Sequence, residues 1–197
     1  MSCHGNSLTQ GQGASTPDVT DYPAVMRGLL NPGGSPLFTV TDNGFGGRTS
    51  AQLISEFDSV VGVLKNDWYS QNVVVMFEVR NSFIAFVSAE TIIAEHITYC
   101  QNATAAGWKV IVCTAPGSDG TQAGENIPGE VNAYIRANWR DFADGFVDLE
   151  AAPEFSPSGD VLNPTHYSDG VHLTDAGYAV VAALVAAAVT ELTGVFL

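Results

Sequence analysis

Two runs, Val73-Val74-Val75-Met76-Phe77 and Val110-Ile111-Val112, decide the fold. Both are apolar at every position, with no polar residue on either side of the pleat. Such a strand must be covered on both faces, as in a parallel sheet flanked by helices. The spacing predicts strands over Asn72–Val79 and Lys109–Thr114, with further candidates at Leu37–Thr41 and Gly145–Leu149. Between them lie helical patterns. Thr49–Lys65 places Leu53, Phe57, Val60, Val61 and Leu64 at intervals of three and four, and Ala89–Ala106 and Val131–Phe142 behave alike. A last helix, Asp175–Leu192, follows Thr174 as N-cap and stops at Gly194. Strands alternating with helices predict a doubly wound, three-layer α/β/α fold in one domain over residues 1–197.

The first strand is the short one. Only Met1-Ser2-Cys3-His4 precede the first glycine, so either this strand is very brief or upstream residues have been removed. The Gly/Pro-rich segments Asn31–Pro36, Ala115–Pro128 and Ala152–Tyr167 read as rim loops. The chain has 197 residues with 46% hydrophobic side chains, enough for a sizeable core. A formal charge of −14, from seven Lys+Arg against 21 Asp+Glu, disfavours nucleic acid and anionic membranes as partners. Three cysteines, one inside the Val110 run, argue against a disulfide framework. No signal-peptide pattern opens the chain, and the Ala179–Val189 run is too short for a membrane span and reads as a core helix. Trp68, Trp108 and Trp139 lie in or beside helical patterns and are expected in the core.

In an open parallel sheet, ligands bind beyond the carboxyl ends of the strands. Four segments leave those ends: Gly5-Asn6-Ser7-Leu8-Thr9-Gln10-Gly11, Asn43-Gly44-Phe45-Gly46-Gly47-Arg48-Thr49, Arg80-Asn81-Ser82, and Ser168-Asp169-Gly170-Val171-His172-Leu173-Thr174. Together they hold the parts of an acyl-transfer site: a nucleophile, a base, a group orienting the base, and oxyanion donors. Ser7 is the expected nucleophile, His172 the base and Asp169 its orienting partner. The expected donors are the Ser7 amide, a glycine amide from Gly44–Gly47 and the Asn81 side chain.

In order and spacing, the four segments resemble the sequence blocks of the SGNH (GDSL-type) hydrolase superfamily, across essentially the whole chain. The resemblance implies a flavodoxin-like sheet of five parallel strands in the order 2-1-3-4-5, and esterase activity without metal or organic cofactor. It places the family's serine on Ser7, its oxyanion glycine on Gly47, its oxyanion asparagine on Asn81, and its Asp-x-x-His pair on Asp169 and His172. This chain departs from the pattern with Asn6 beside the serine, and with Val79 and Ser82 in place of the Gly and final Asp of the Gly-x-Asn-Asp block. The expected reaction is hydrolysis of small or exposed acyl esters, carbohydrate O-acetyl groups among them.

Two other readings compete. His166, Asp169 and His172 recur every three residues near Asp160, a pattern compatible with a metal site, though His4 and His96 are scattered elsewhere. The altered third block and brief first strand also suit a non-catalytic carbohydrate-binding module.

Overall fold

In the computed structural model, which describes residues 1–34, 36–117, 126–155 and 163–195, the Val73 run is the middle of the sheet. This strand, β3 (Val73–Phe77), is buried at every position and sends alternate side chains into two cores. Val73, Val75 and Phe77 face one, and Val74 and Met76 the other. The remaining strands are β1 (Ser2–Gly5), β2 (Thr41–Gly44), β4 (Lys109–Cys113) and β5 (Gly145–Val147). All pair parallel in the order β2-β1-β3-β4-β5, as expected.

Helices α2 (Tyr22–Leu30) and α7 (Asp175–Thr193) cover the first core, with Tyr22, Met26, Leu30, Tyr178, Val181 and Val185 fully buried. Helices α3 (Ser50–Val60), α5 (Ala89–Ala105) and α6 (Asn126–Asn138) cover the second through Leu53, Phe57, Ile92, Tyr99, Val131 and Ile135. By length and composition α7 could cross a membrane, with a mean hydropathy of 1.7. Its apolar face instead closes the first core. Two short helices, α1 (Ser7–Gln10) and α4 (Arg80–Ile84), leave the carboxyl ends of β1 and β3.

The structure corrects several sequence expectations. β1 is brief, yet all four of its residues are buried and it pairs on both sides, with β2 and β3. β2 lies at Thr41–Gly44 and not at Leu37–Thr41. As an edge strand it tolerates polar residues, and Asn43 Nδ2 ties it to Ser2 Oγ at 2.8 Å, while Leu37 is exposed. Of the tryptophans, Trp108 is buried, but Trp68 stands in solvent on a turn pinned by Asn66 and Asn72. Trp139 is half-buried, stacked on Phe146 at 5.8 Å. Cys3, Cys100 and Cys113 are buried free thiols.

Candidate active site

β1 ends at Gly5, and the chain turns at once into α1. Asn6 is the N-cap of α1, its Oδ1 accepting the Leu8 amide at 2.9 Å. That role frees Ser7, the first helical residue, from capping. Ser7 is nearly buried and its hydroxyl looks toward the loop before α7. There Ser168 N donates to His172 O at 2.8 Å, and Thr174 N to His166 O at 3.0 Å, closing a tight loop around His172. Gly170, with φ +78°, turns the loop back in a conformation that side-chain-bearing residues rarely adopt. The two ends of the chain are laced together beside the site. Tyr178 Oη donates to Gln12 O at 2.7 Å, and the Ser15 amide donates to Asp175 Oδ1 at 2.7 Å.

The result is a continuous relay. His172 Nε2 lies 3.0 Å from Ser7 Oγ across 165 positions of sequence, and His172 Nδ1 lies 2.7 Å from Asp169 Oδ2. Asp169 Oδ1 also accepts the His172 amide at 2.7 Å and the Val171 amide at 3.0 Å. Partial burial pulls the Asp169 carboxyl upward, but these hydrogen bonds outweigh it and hold it below its usual value. An ionised carboxylate can only accept, so the Nδ1 proton belongs to histidine and Nε2 presents a lone pair to the Ser7 hydroxyl. This geometry suits abstraction of the Ser7 proton.

The second segment lies against α1. Gly46 N donates to Gln10 Oε1 at 2.9 Å, so Gln10, on the same helix as Ser7, holds the glycine loop. The amides of Ser7 and Gly47 donate to no acceptor among the described residues. Gly47 has φ +81°, open only to glycine at low cost. Of the two loop glycines, Gly47 thus keeps its donor available while Gly46 spends its own on Gln10. Thr49 then caps α3 in a reciprocal arrangement with Gln52. Asn81 joins this loop: its Nδ2 donates to Arg48 O at 3.0 Å, leaving a second N–H on the same nitrogen.

Under Asn81 sits a carboxyl group that the sequence reading did not single out. Glu78 is fully buried, and its Oε1 accepts the amides of Asn81 at 2.7 Å and Ser82 at 3.2 Å. From Glu78 Oε2 a chain of oxygens runs to Ser82 Oγ (2.8 Å), Ser50 Oγ (2.8 Å) and Glu95 Oε2. Ser82 Oγ donates to Glu78 and Ser50 Oγ to Glu95, and the Ser50 amide donates to Ser82 Oγ at 2.9 Å. Burial pushes Glu78 up to about 7, only partly offset by the donors from Ser82, Asn81 and Ser50.

Because the folded value lies above that of an unfolded glutamate, folding disfavours ionisation here. Stability contributed at low pH is lost as pH rises from roughly 4.3 through about 7, on the order of 3 kcal/mol in all. Glu78→Gln, neutral throughout, is expected to lack this loss. Urea unfolding at pH 5 and pH 8.5 should show a smaller pH difference in the variant than in the parent; equal differences would contradict the assignment.

The competing metal reading gains nothing from the geometry. His172 and Asp169 are committed to each other, Asp160 lies outside the described residues, and buried His4 and His96 bond Tyr99 Oη and Ile92 O. Among the described residues, the potential ligand atoms that converge belong to Asp18, Asp21 and Asp42. There Asp21 caps α2 through the Ala24 amide, and Asp42 accepts the Gly44 amide.

Comparison with known proteins agrees with this architecture. The model of the GDSL-like lipase/acylhydrolase family matches residues 3–180. Among curated proteins, none matches the sequence. Among solved structures, an acetyl xylan esterase, AlAXEase, is similar with a TM-score of 0.72 and 21% identity, over 95% of this chain and 98% of that one. A GDSL-like lipase from Bacteroides thetaiotaomicron VPI-5482 gives 0.68 and 23%, over 96% and 87%. The psychrotrophic esterase EstA from Pseudoalteromonas sp. gives 0.70 and 9%, over 98% of both chains. With the family model spanning most of its length and the five-stranded parallel sheet in the order 2-1-3-4-5, the chain belongs to the GDSL-like lipase/acylhydrolase family, the SGNH hydrolases.

Proposed function

We propose that the protein is a serine esterase in which Ser7 is the nucleophile, His172 the general base and Asp169 the group that orients it. The observation that carries this reading is the relay of 3.0 Å and 2.7 Å contacts through His172. Ser7 Oγ bonds to the ester carbonyl carbon as its proton passes to His172 Nε2. The oxyanion is met by the amides of Ser7 and Gly47 and by Asn81 Nδ2. Collapse breaks the bond to the alkoxy oxygen, which takes the proton from Nε2 and leaves as the alcohol. Water, deprotonated by His172, then attacks the acyl-serine, and release of the acid restores Ser7. No metal or organic cofactor takes part.

The substrate we propose is a small or exposed ester, with O-acetylated carbohydrate the preferred case. The open setting of Asp169, whose side chain is 52% exposed, suits an ester carried on a bulky, hydrated alcohol. The fold shared with an acetyl xylan esterase points the same way. The high negative charge disfavours nucleic acid and anionic membrane surfaces as partners.

The test is an acyl-length series of aryl esters, together with acetylated xylan, each with and without chelator. Acetyl turnover should exceed octanoyl turnover and be indifferent to chelation. Faster octanoyl hydrolysis would overturn the substrate class, and loss of activity with chelator the metal-free mechanism. For the oxyanion donors, Asn81→Ala is expected to lower kcat by about 10²–10³ with little change in KM. An unaltered kcat would remove Asn81 from the site.

A further inference from the structure

The helix that carries Asn81 is poorly equipped to begin. Its N-cap residue, Val79, has no side-chain acceptor for the first amides of α4, which have no partner within the helix itself. The acceptor comes from one residue earlier. Glu78 Oε1 takes both the Asn81 amide, at 2.7 Å, and the Ser82 amide, at 3.2 Å. Asn81 is thus held at two points, its main chain on Glu78 and its side chain on Arg48 O at 3.0 Å. Without the first hold the Asn81 amide loses its acceptor, although the Asn81 carbonyl still accepts the Ala85 amide at the end of α4 at 3.0 Å. A carboxyl that ends an apolar strand, fully buried, has no packing reason to be there.

We propose that Glu78 is a positioning residue for catalysis, its carboxyl oxygen fixing the turn that aims the Asn81 amide at the oxyanion. The inference rests on the reading of Asn81 as an oxyanion donor, and it assigns Glu78 no contact with substrate. Its effect must therefore pass through Asn81. A shift of about 1 Å in a stabilising group is enough to cost up to about 10²-fold in rate.

The test is a double-mutant cycle on the full chain, read as kcat and KM for an aryl acetate. Glu78→Met keeps the side chain's bulk and removes its strong acceptor. It should lower kcat about 10–100-fold with KM within about twofold. Glu78→Gln retains an acceptor oxygen for both amides and should restore kcat to within about threefold of the parent. In the Asn81→Ala background, Glu78→Met should add less than about threefold, because the donor it positions is gone. Should Glu78→Met fail to fold, Glu78→Asp, which withdraws the carboxyl by one methylene, is run through the same cycle with the same expectation of lowered kcat. A folded Glu78→Met or Glu78→Asp with parental kcat would overturn the proposal, as would losses that multiply in the double variant. If Asn81→Ala alone leaves kcat unchanged, the reading of Asn81 fails first and the proposal falls with it.

Discussion

Ser7→Ala is expected to lower kcat toward an aryl acetate by about 10⁵–10⁶-fold while leaving KM within a few-fold. In the proposed mechanism the hydroxyl removed is the group that forms the acyl bond, so no neighbouring group can take over its part. What survives is the stabilisation offered by the oxyanion donors, typically about 10³–10⁴ over the uncatalysed reaction. His172→Ala should cost nearly as much, and the double variant should be no slower than the worse single one, since nucleophile and base act as a unit. The loss is chemical and not structural. Ser7 does not cap α1, because Asn6 does, and losing one partly buried hydroxyl contact costs only about 1 kcal/mol. Thermal melts of the parent and Ser7→Ala should therefore nearly coincide. A variant that keeps parental turnover would exclude Ser7 as nucleophile.

Asp169→Asn is expected to lower kcat by about 10³–10⁴-fold. Three donors converge on this carboxylate: the ring nitrogen of His172 and the amides of His172 and Val171. An asparagine cannot satisfy all three. If its NH₂ faces the ring, the imidazole must carry its proton on Nε2, and that nitrogen can no longer take the proton of Ser7. If the oxygen faces the ring, the NH₂ meets two backbone donors. Because half of the Asp169 side chain is open to water, solvent eases part of this conflict, and the lower end of the range is favoured. Initial rates measured against pH provide the check. A loss of less than tenfold would show that the imidazole is oriented by something else.

Much of this was legible in the residues themselves. The unbroken apolar runs at Val73 and Val110 announced strands covered on two faces, and the two cores drawn from alternate residues of β3 are the direct consequence. Ser7, Asp169 and His172, which lie within hydrogen-bond reach in turn, serine to imidazole to carboxylate, could be proposed as a triad because a short turn after a strand and a glycine-bearing loop before a capped helix each leave local marks. For β2 the hydrophobic residues Leu37, Phe38 and Val40 outweigh Thr41–Gly44 in the sequence, yet the pairing is set by β1 and not by hydrophobicity. The marks of α2 are in the sequence as well: Asp21 as cap, Pro23 in the first turn, and Tyr22, Met26 and Leu30 at intervals of four. Gln10 and Glu78 are of another kind. Their importance lies in contacts across elements, Gln10 to Gly46 and Glu78 to Asn81, and spacing along the chain carries little trace of either. The lone acid ending the Val73 run was the one available hint.

The central claim is that the Ser7 hydroxyl, set against His172, is the reactive atom of the protein. A fluorophosphonate reacts with an activated serine and remains attached, so intact mass followed by peptide mapping reads the claim directly. One adduct per chain on Ser7 is expected, absent in Ser7→Ala and formed far more slowly in His172→Ala. An ester-hydrolysing preparation that stays unlabelled at Ser7, or carries its adduct on another residue, would contradict the mechanism outright.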